Sequence, residues 1–323
     1  MSQTPLISIV LPVYNESAGI NKTIAVLQNY VAARDEQYEL IFVDDGSSDD
    51  TVAKINAAMA QHRNMRLVQF SRNFGHQLAI SAGIRFASGD AVVVMDADLQ
   101  DPPSVIPAMI AQWQAGYAVV YGKRRHRDGE TWFKKVSAAA FYRLLRAMTS
   151  TDIPVDTGDF RLMDRKVVDV LKQFDETDPY VRGLVSWVGF KQTGVLYDRQ
   201  DRNAGESKYP LKKMLHLALN GITSFSTVPL TLALWFSGLA LGISVLTVIV
   251  AGVTGTLGTT AWIVASLFFI GSGLFLSLGI IGSYLGRVFN QSRERPLYIV
   301  AQTQGFAQNK FQQYQQQRLQ NQG

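Results

Sequence analysis

Between Lys213 and Arg287 the chain carries no Asp, Glu, Lys or Arg. One membrane-spanning helix needs only about 20 apolar residues, so this stretch is long enough for two. A glycine- and threonine-rich patch, Gly252 to Thr260, interrupts it and reads as a turn. The pattern predicts a helical hairpin with spans near residues 229–251 and 261–284. The alternative is two buried helices of a soluble core, which rarely stay apolar all round for so long. Gly238/Gly242 and Gly282/Gly286 have the GxxxG spacing that lets helix backbones approach closely, inside a chain or between copies in a homo-oligomer.

The flanks orient the hairpin. Lys208, Lys212 and Lys213 precede it, Arg287, Arg293 and Arg295 follow it, and the turn is uncharged, which places both flanks in the cytoplasm. The apolar run from Leu6 to Val13 is too short, and too broken by Pro12, for a secretory signal. The predicted organisation is a cytosolic domain over 1–207, a juxtamembrane segment over 208–227, two spans within 228–286 and a cytosolic tail over 287–323. Tyr209 to Ile222 sets Leu211, Met214, Leu215 and Leu219 against Lys212 and Lys213. That pattern suits either an amphipathic helix on the bilayer or ordinary helix packing. The Gln- and Asn-rich tail from Gln302 onward is assigned no fold.

There is no cysteine, which excludes disulfides, thiolate metal sites and cysteine nucleophiles. A net charge of +5 fits an acidic partner: nucleic acid, anionic lipid or a phosphorylated substrate. No RNA- or DNA-binding motif accompanies the charge, so no nucleic-acid partner is expected.

The first half alternates short β-rich runs with segments long enough for crossover helices. Residues 6–14, 38–44, 65–70, 91–95 and 117–121 read as strands of a mainly parallel, doubly wound α/β sheet. Ligands of such sheets bind beyond the carboxyl ends of the strands. There stand Pro12-Val13-Tyr14-Asn15-Glu16, then Asp44-Asp45-Gly46-Ser47-Ser48-Asp49. Alone, the second cluster could be a turn and helix cap. A further strand ends in Met95-Asp96-Ala97-Asp98-Leu99-Gln100-Asp101, delivering two carboxylates of the same pleat phase. Two carboxylates aimed at one point repel unless a cation or proton lies between them, and Mg2+ or Mn2+ bridging a diphosphate fits that role. His76 reads as the start of a helix rather than a ligand, and His62, His126 and His216 form no ligand spacing.

With Ser71-Arg72-Asn73-Phe74-Gly75, Thr157-Gly158-Asp159-Phe160-Arg161-Leu162 and Gly205-Glu206-Ser207-Lys208-Tyr209 added, the sequence resembles glycosyltransferase family 2. It is most similar there to the polyprenyl-phosphate glycosyltransferases, over nearly the whole chain except the tail. The resemblance implies a GT-A type fold and an inverting, metal-dependent transfer of a sugar from a nucleotide donor to a polyprenyl phosphate. UDP-glucose and undecaprenyl phosphate are the first choices, with 4-deoxy-4-formamido-arabinose or mannose open. It implies that Pro12, Tyr14, Glu16, Asp44, Asp45 and Asn73 line the nucleotide-sugar site. Asp96 is then expected at ribose, diphosphate or metal, and Asp98 and Gln100 at the metal. Arg124, Arg202, Ser207 and Lys208 are expected to gather phosphate charge, and Asp159 stands beside the acceptor. An aspartate at this place is proposed as base in the family, but a phosphate monoester with a second pKa of about 6 is already largely ionised at neutral pH, so an orienting role is open. The run Lys123–Arg127 also suits a lipid-facing loop.

The implied location is the inner membrane of a bacterium, with the catalytic domain and both termini cytoplasmic. A processive synthase would carry Gln-x-x-Arg-Trp, and no tryptophan here follows an arginine. A non-catalytic flippase or scaffold is the remaining alternative, and two uncharged spans make a poor transport path.

Overall fold

The computed structural model describes residues 4–125, 157–176, 179–199, 259–292 and 295–306, with scattered positions between 238 and 253. Arg202, Ser207, Lys208, the predicted juxtamembrane segment and residues 229–237 of the first predicted span lie outside them. Two units are distinguished. One holds the described residues up to Arg199 together with those from Pro296 on, the other those between 238 and Arg295.

The first unit is built on β1 (Leu6–Val13), whose residues from Ile7 to Val13 are all buried, because helices cover both faces of a central parallel strand. It pairs in parallel with β2 (Gln37–Asp44) and β4 (Ala91–Val94), and β2 pairs in parallel with β3 (Met65–Phe70). The connections are α1 (Ile20–Ala32), α2 (Thr51–Met59) and α3 (His76–Phe86). Ile20, Ile24 and Leu27 of α1, Ile55 of α2, and Ile106, Met109 and Ile110 of α4 (Ile106–Gln114) share one core with Ile7, Ile9 and Leu11. Residues of the other pleat phase meet α3. At Gly83 a Cβ would stand 2.1 Å from Val10 Cγ1, so only glycine lets this helix lie so close to the sheet.

Beyond β4 the sheet is mixed. β6 (Thr157–Asp164) runs antiparallel between β4 and β5 (Val119–Arg124), and β7 (Gln192–Tyr197) pairs in parallel with β5. Two short helices, α5 (Arg165–Leu171) and α6 (Val181–Trp187), lie between β6 and β7. The strand order is β7-β5-β6-β4-β1-β2-β3-β8. The five predicted strands are present, and the expected mainly parallel sheet is corrected to a mixed one by β6 and β8. β8 (Val300–Gln304) also corrects the expectation of no fold from Gln302 onward. It pairs antiparallel with β3, and Tyr298 just before it stacks on Phe70 at 4.8 Å. Backbone pairing at a sheet edge asks little of side chains, so polar residues serve.

In the second unit α7 (Thr259–Ser292) runs 34 residues, against the 261–284 expected of the second span. At 1.5 Å per residue it is about 51 Å long and exceeds a hydrocarbon core of about 30 Å. The window Phe269–Gly286 has mean hydropathy 1.6 with none of it buried, the one helix among the described residues long and apolar enough to cross a membrane. The described positions within the first predicted span, from Gly238 to Val250, are helical, and a Cβ on Gly273 would lie 3.6 Å from Ala240 Cβ. At Gly238, Gly242, Gly282 and Gly286 an added Cβ would meet nothing within 4 Å.

Candidate active site

Strand register carries the sequence motifs to one rim. Val13 stands opposite Asp44 and Val10 opposite Val94, so Tyr14–Glu16, Asp44–Ser47 and Asp96–Gln100 leave the sheet on the same side. Because β6 runs the other way, with Arg161 opposite both Val94 and Tyr121, its beginning lies there too and brings Asp159. Arg124 pairs with Tyr197 at the ends of β5 and β7.

Among the expected nucleotide residues, Pro12 is buried in β1 and Tyr14 is 48% exposed. Asn15 takes φ 53°, a left-handed conformation that asparagine tolerates. It ties the first rim segment to the second, since its N–H donates to Ser47 Oγ at 2.9 Å and its Oδ1 accepts from Ser48 N at 2.9 Å. Glu16 N donates to Thr51 Oγ1 at 2.9 Å. Asp44 is fully buried and accepts from Ser47 N at 3.2 Å; burial raises its pKa against the pull of the Ser47 bonds. Asp45 accepts from Phe74 N at 2.7 Å and Gly75 N at 2.9 Å, and burial raises it against those donors. It therefore clamps the loop that presents the exposed Asn73. Gly46, at φ 72°, makes that clamp possible, because a Cβ there would stand 2.4 Å from the Arg72 carbonyl carbon.

The two carboxylates of the fourth strand end differ. Asp98 Oδ1 accepts from Gln100 N at 3.1 Å, in a turn where Leu99 takes φ 57°. Asp96 keeps a buried Oδ1 without a hydrogen-bond partner, although its side chain as a whole is 33% exposed. Burial pushes Asp96 up to about 6, with the charges of Asp159, Asp101 and Asp98 adding and that of His76 opposing. His76 Nε2 lies 3.5 Å from Asp96 Oδ1 and 3.5 Å from Asp159 Oδ2. Burial alone would lower His76, but the bond to Asp159 and the charges of Asp96 and Asp159 outweigh it and raise the imidazole. It is the first residue of α3, as expected, and it also stands in the site, which was not.

Asp159 is paired with Arg182 of α6 through Nε to Oδ1 at 2.8 Å and Nη2 to Oδ2 at 2.9 Å. Burial raises Asp159, yet the charge and hydrogen bonds of Arg182 hold it well below the usual carboxylate range. Asp101, buried, accepts from the Tyr197 hydroxyl, with Arg124 Nη2 at 3.9 Å and Arg199 Nε at 3.7 Å from Oδ1. A Cβ on Gly158 would stand 3.3 Å from Arg124 Nη2, so this guanidinium borders the segment carrying Asp159. The sequence reading missed His76, Gln77, Asp101, Arg182, Tyr197 and Arg199 as site residues. A single arginine between buried Val181 and Gly183 was the available signal for Arg182.

The match to known proteins decides the family: residues 8–171 match Glycosyl transferase family 2. The chain belongs to this family. A Bacillus subtilis glycosyltransferase, YkcC, is 50% identical over 94% of this chain and 96% of its own. The bactoprenol glucosyl transferase of Shigella phage SfV is 38% identical over 91% of this chain and 97% of its own. The prophage bactoprenol glucosyl transferase homolog of Escherichia coli K12 is 36% identical over 91% and 98%. Among solved structures, glucosyl-3-phosphoglycerate synthase from Mycobacterium tuberculosis aligns over 68% of this chain and 77% of its own, at 22% identity and a TM-score of 0.47, a likeness too slight to transfer a ligand.

For a family 2 glycosyltransferase the chemistry of this rim suits a divalent cation. Asp96 offers a buried oxygen that accepts no hydrogen bond and has only His76, 3.5 Å away, to offset the carboxylates that repel it, a condition a cation relieves further. Among the described residues no three His, Asp or Glu side chains form a preformed cage. Mg2+ and its like are commonly held by one or two carboxylates plus substrate phosphates, so Asp96 and Asp98 are residues that could supply the protein's share.

Proposed function

We propose that this family 2 glycosyltransferase moves glucose from UDP-glucose to undecaprenyl phosphate at the cytoplasmic face of a bacterial inner membrane, with inversion, giving a monophosphate-linked glycolipid for cell-envelope glycan modification. The observation that carries the reading is the similarity to proteins named bactoprenol glucosyl transferase over 91% of this chain, a span that cannot leave out the apolar α7. A polyprenyl phosphate keeps its tail in lipid and its head at the interface, and an anchored enzyme meets it there. The two-span hairpin, the multi-pass topology and the boundaries after residues 207, 227 and 286 belong to this proposal.

Within it, Pro12, Tyr14, Glu16, Asp44 and Asn73 hold the nucleotide, while Asp45 holds the loop that presents Asn73. Asp96, Asp98 and Gln100 face the diphosphate; a divalent cation bound there supplies charge stabilisation to the departing nucleoside diphosphate. Arg124, joined by Arg202, Ser207 and Lys208, gathers the acceptor phosphate, since a guanidinium meets two phosphate oxygens at once. The acceptor oxygen, already ionised for the most part at neutral pH, attacks the anomeric carbon in line as the bond to the diphosphate breaks.

The test incubates the purified protein with undecaprenyl phosphate, Mg2+ or Mn2+ and a panel of nucleotide sugars, then identifies the lipid product by mass spectrometry. A glucosyl monophosphate lipid from UDP-glucose is expected. A 4-deoxy-4-formamido-arabinosyl or mannosyl product would replace the sugar, and no lipid product from any donor would overturn the reading.

A further inference from the structure

The ion pair between Arg182 and Asp159 is part of a closed ring. Arg182 meets both carboxylate oxygens, at 2.8 and 2.9 Å, and two parallel bonds from a planar group fix orientation as one contact cannot. The Asp159 side chain is 8% exposed, so water competes little. Its Oδ2 also faces α3, 3.4 Å from Gln77 Nε2 and 3.5 Å from His76 Nε2. Gln77 Oε1 in turn accepts from Val181 N at 3.1 Å, which joins the start of α3 to the start of α6.

We propose that Arg182 is a positioning residue for sugar transfer, making Asp159 a fixed strut that holds His76 and Gln77 at the rim instead of a proton acceptor for the incoming phosphate. The inference rests on the proposed transfer to a phosphate. A base needs a basic oxygen, whereas here each oxygen already takes a charged guanidinium hydrogen bond, which drains basicity from the lone pair it leaves open. Arg182 also holds this carboxyl well below the usual range, which leaves it a poor acceptor at neutral pH. His76, carried by the strut, stands beside Asp96, where the diphosphate charge is proposed to gather. The role of Arg182 is therefore exerted through Asp159 on groups near the donor.

The test uses the full-length protein in lipid nanodiscs, with turnover and amide hydrogen exchange read on the same samples. Arg182→Gln and Asp159→Asn are each expected to lower kcat about 10- to 100-fold, as small misplacements do, with the nucleotide-sugar KM little changed. The double variant should fall no more than about threefold below the weaker single, because the two residues act as one unit. Arg182→Lys keeps the charge but not the two-bond geometry, and should resemble Arg182→Gln. Amides 76–82 and 180–186 should exchange faster, to the same extent, in each variant.

Wild-type turnover in Arg182→Lys beside an inactive Asp159→Asn would overturn the proposal, as would losses that multiply. If Arg182→Gln does not fold, equal losses in Arg182→Lys and Asp159→Asn support the strut and unequal ones overturn it. If the wild type makes no glycolipid from any donor, the phosphate-acceptor reading fails separately; unchanged exchange in Arg182→Lys would still overturn the ring.

Discussion

The catalytic sheet and α7 are both rich in apolar residues, and they place them oppositely. In β1, β2 and β4 almost every apolar side chain is buried, Phe42 completely so. In α7, Phe275 is 77% exposed and Leu267, Leu274, Leu278, Ile281 and Leu285 are exposed with it, while the window Phe269–Gly286 buries nothing. Apolar content alone does not tell a core from a lipid-facing surface; periodicity and the charged residues at the ends do. The buried runs of β1, β2 and β4 end in acids, whereas the long uncharged run ends in basic residues. The first arrangement suits the proposed site for phosphate and cation, and the second suits a bilayer.

The largest effect expected from breaking this contrast is at the rim. Asp98→Ala should lower turnover at least about a thousandfold, roughly 4 kcal/mol, while membrane fractionation stays as in the wild type. Wild-type turnover would remove Asp98 from the site. Next, Phe42→Ala should destabilise the catalytic unit by about 3–5 kcal/mol in urea unfolding. Phe275→Ala should leave that unit unchanged, and equal losses would erase the distinction between the two regions. An arginine at Leu278, near the middle of the apolar window, should disfavour insertion by about 2.5–3.5 kcal/mol and reduce the membrane-bound fraction.

The smallest effect is at Asp49. Against a desolvation penalty, the bonds from Thr51 and Ser17 bring its pKa down to about 2. Because the folded value lies below the unfolded one, its contribution is complete above about pH 4 and fades as pH falls toward 2. Asp49→Ala should cost about 1 kcal/mol at pH 7, kept small by solvent screening, and nearly nothing at pH 2.

Five strands, and the acids at the ends of three of them, were legible because an apolar run followed abruptly by an acid has one economical reading in an α/β sheet. β6 was not, since buried Asp159 and Arg161 interrupt its hydropathy although they lie inside the fold. β8 was not, since its Gln and Thr residues join the sheet through backbone bonds that composition does not announce. The site was half legible. Asp44, Asp96 and Asp98 follow from strand ends, but the partners of Asp159 come from α3 and α6, 82 and 23 residues away along the chain. His76 was read correctly as a helix start, and its neighbours Asp96 and Asp159 arrive only with the antiparallel pairing of β4 and β6.

The central claim is that the carboxylate rim works with a divalent cation to transfer a sugar onto a membrane-held phosphate. The most direct measurement follows glycolipid formation from UDP-glucose and undecaprenyl phosphate after chelation, and again after Mn2+ or Mg2+ is restored. The account predicts no product under chelator, recovery on adding metal, and metal affinity that weakens below about pH 6 as protons compete for Asp96. Product formed equally well in the presence of chelator would contradict it.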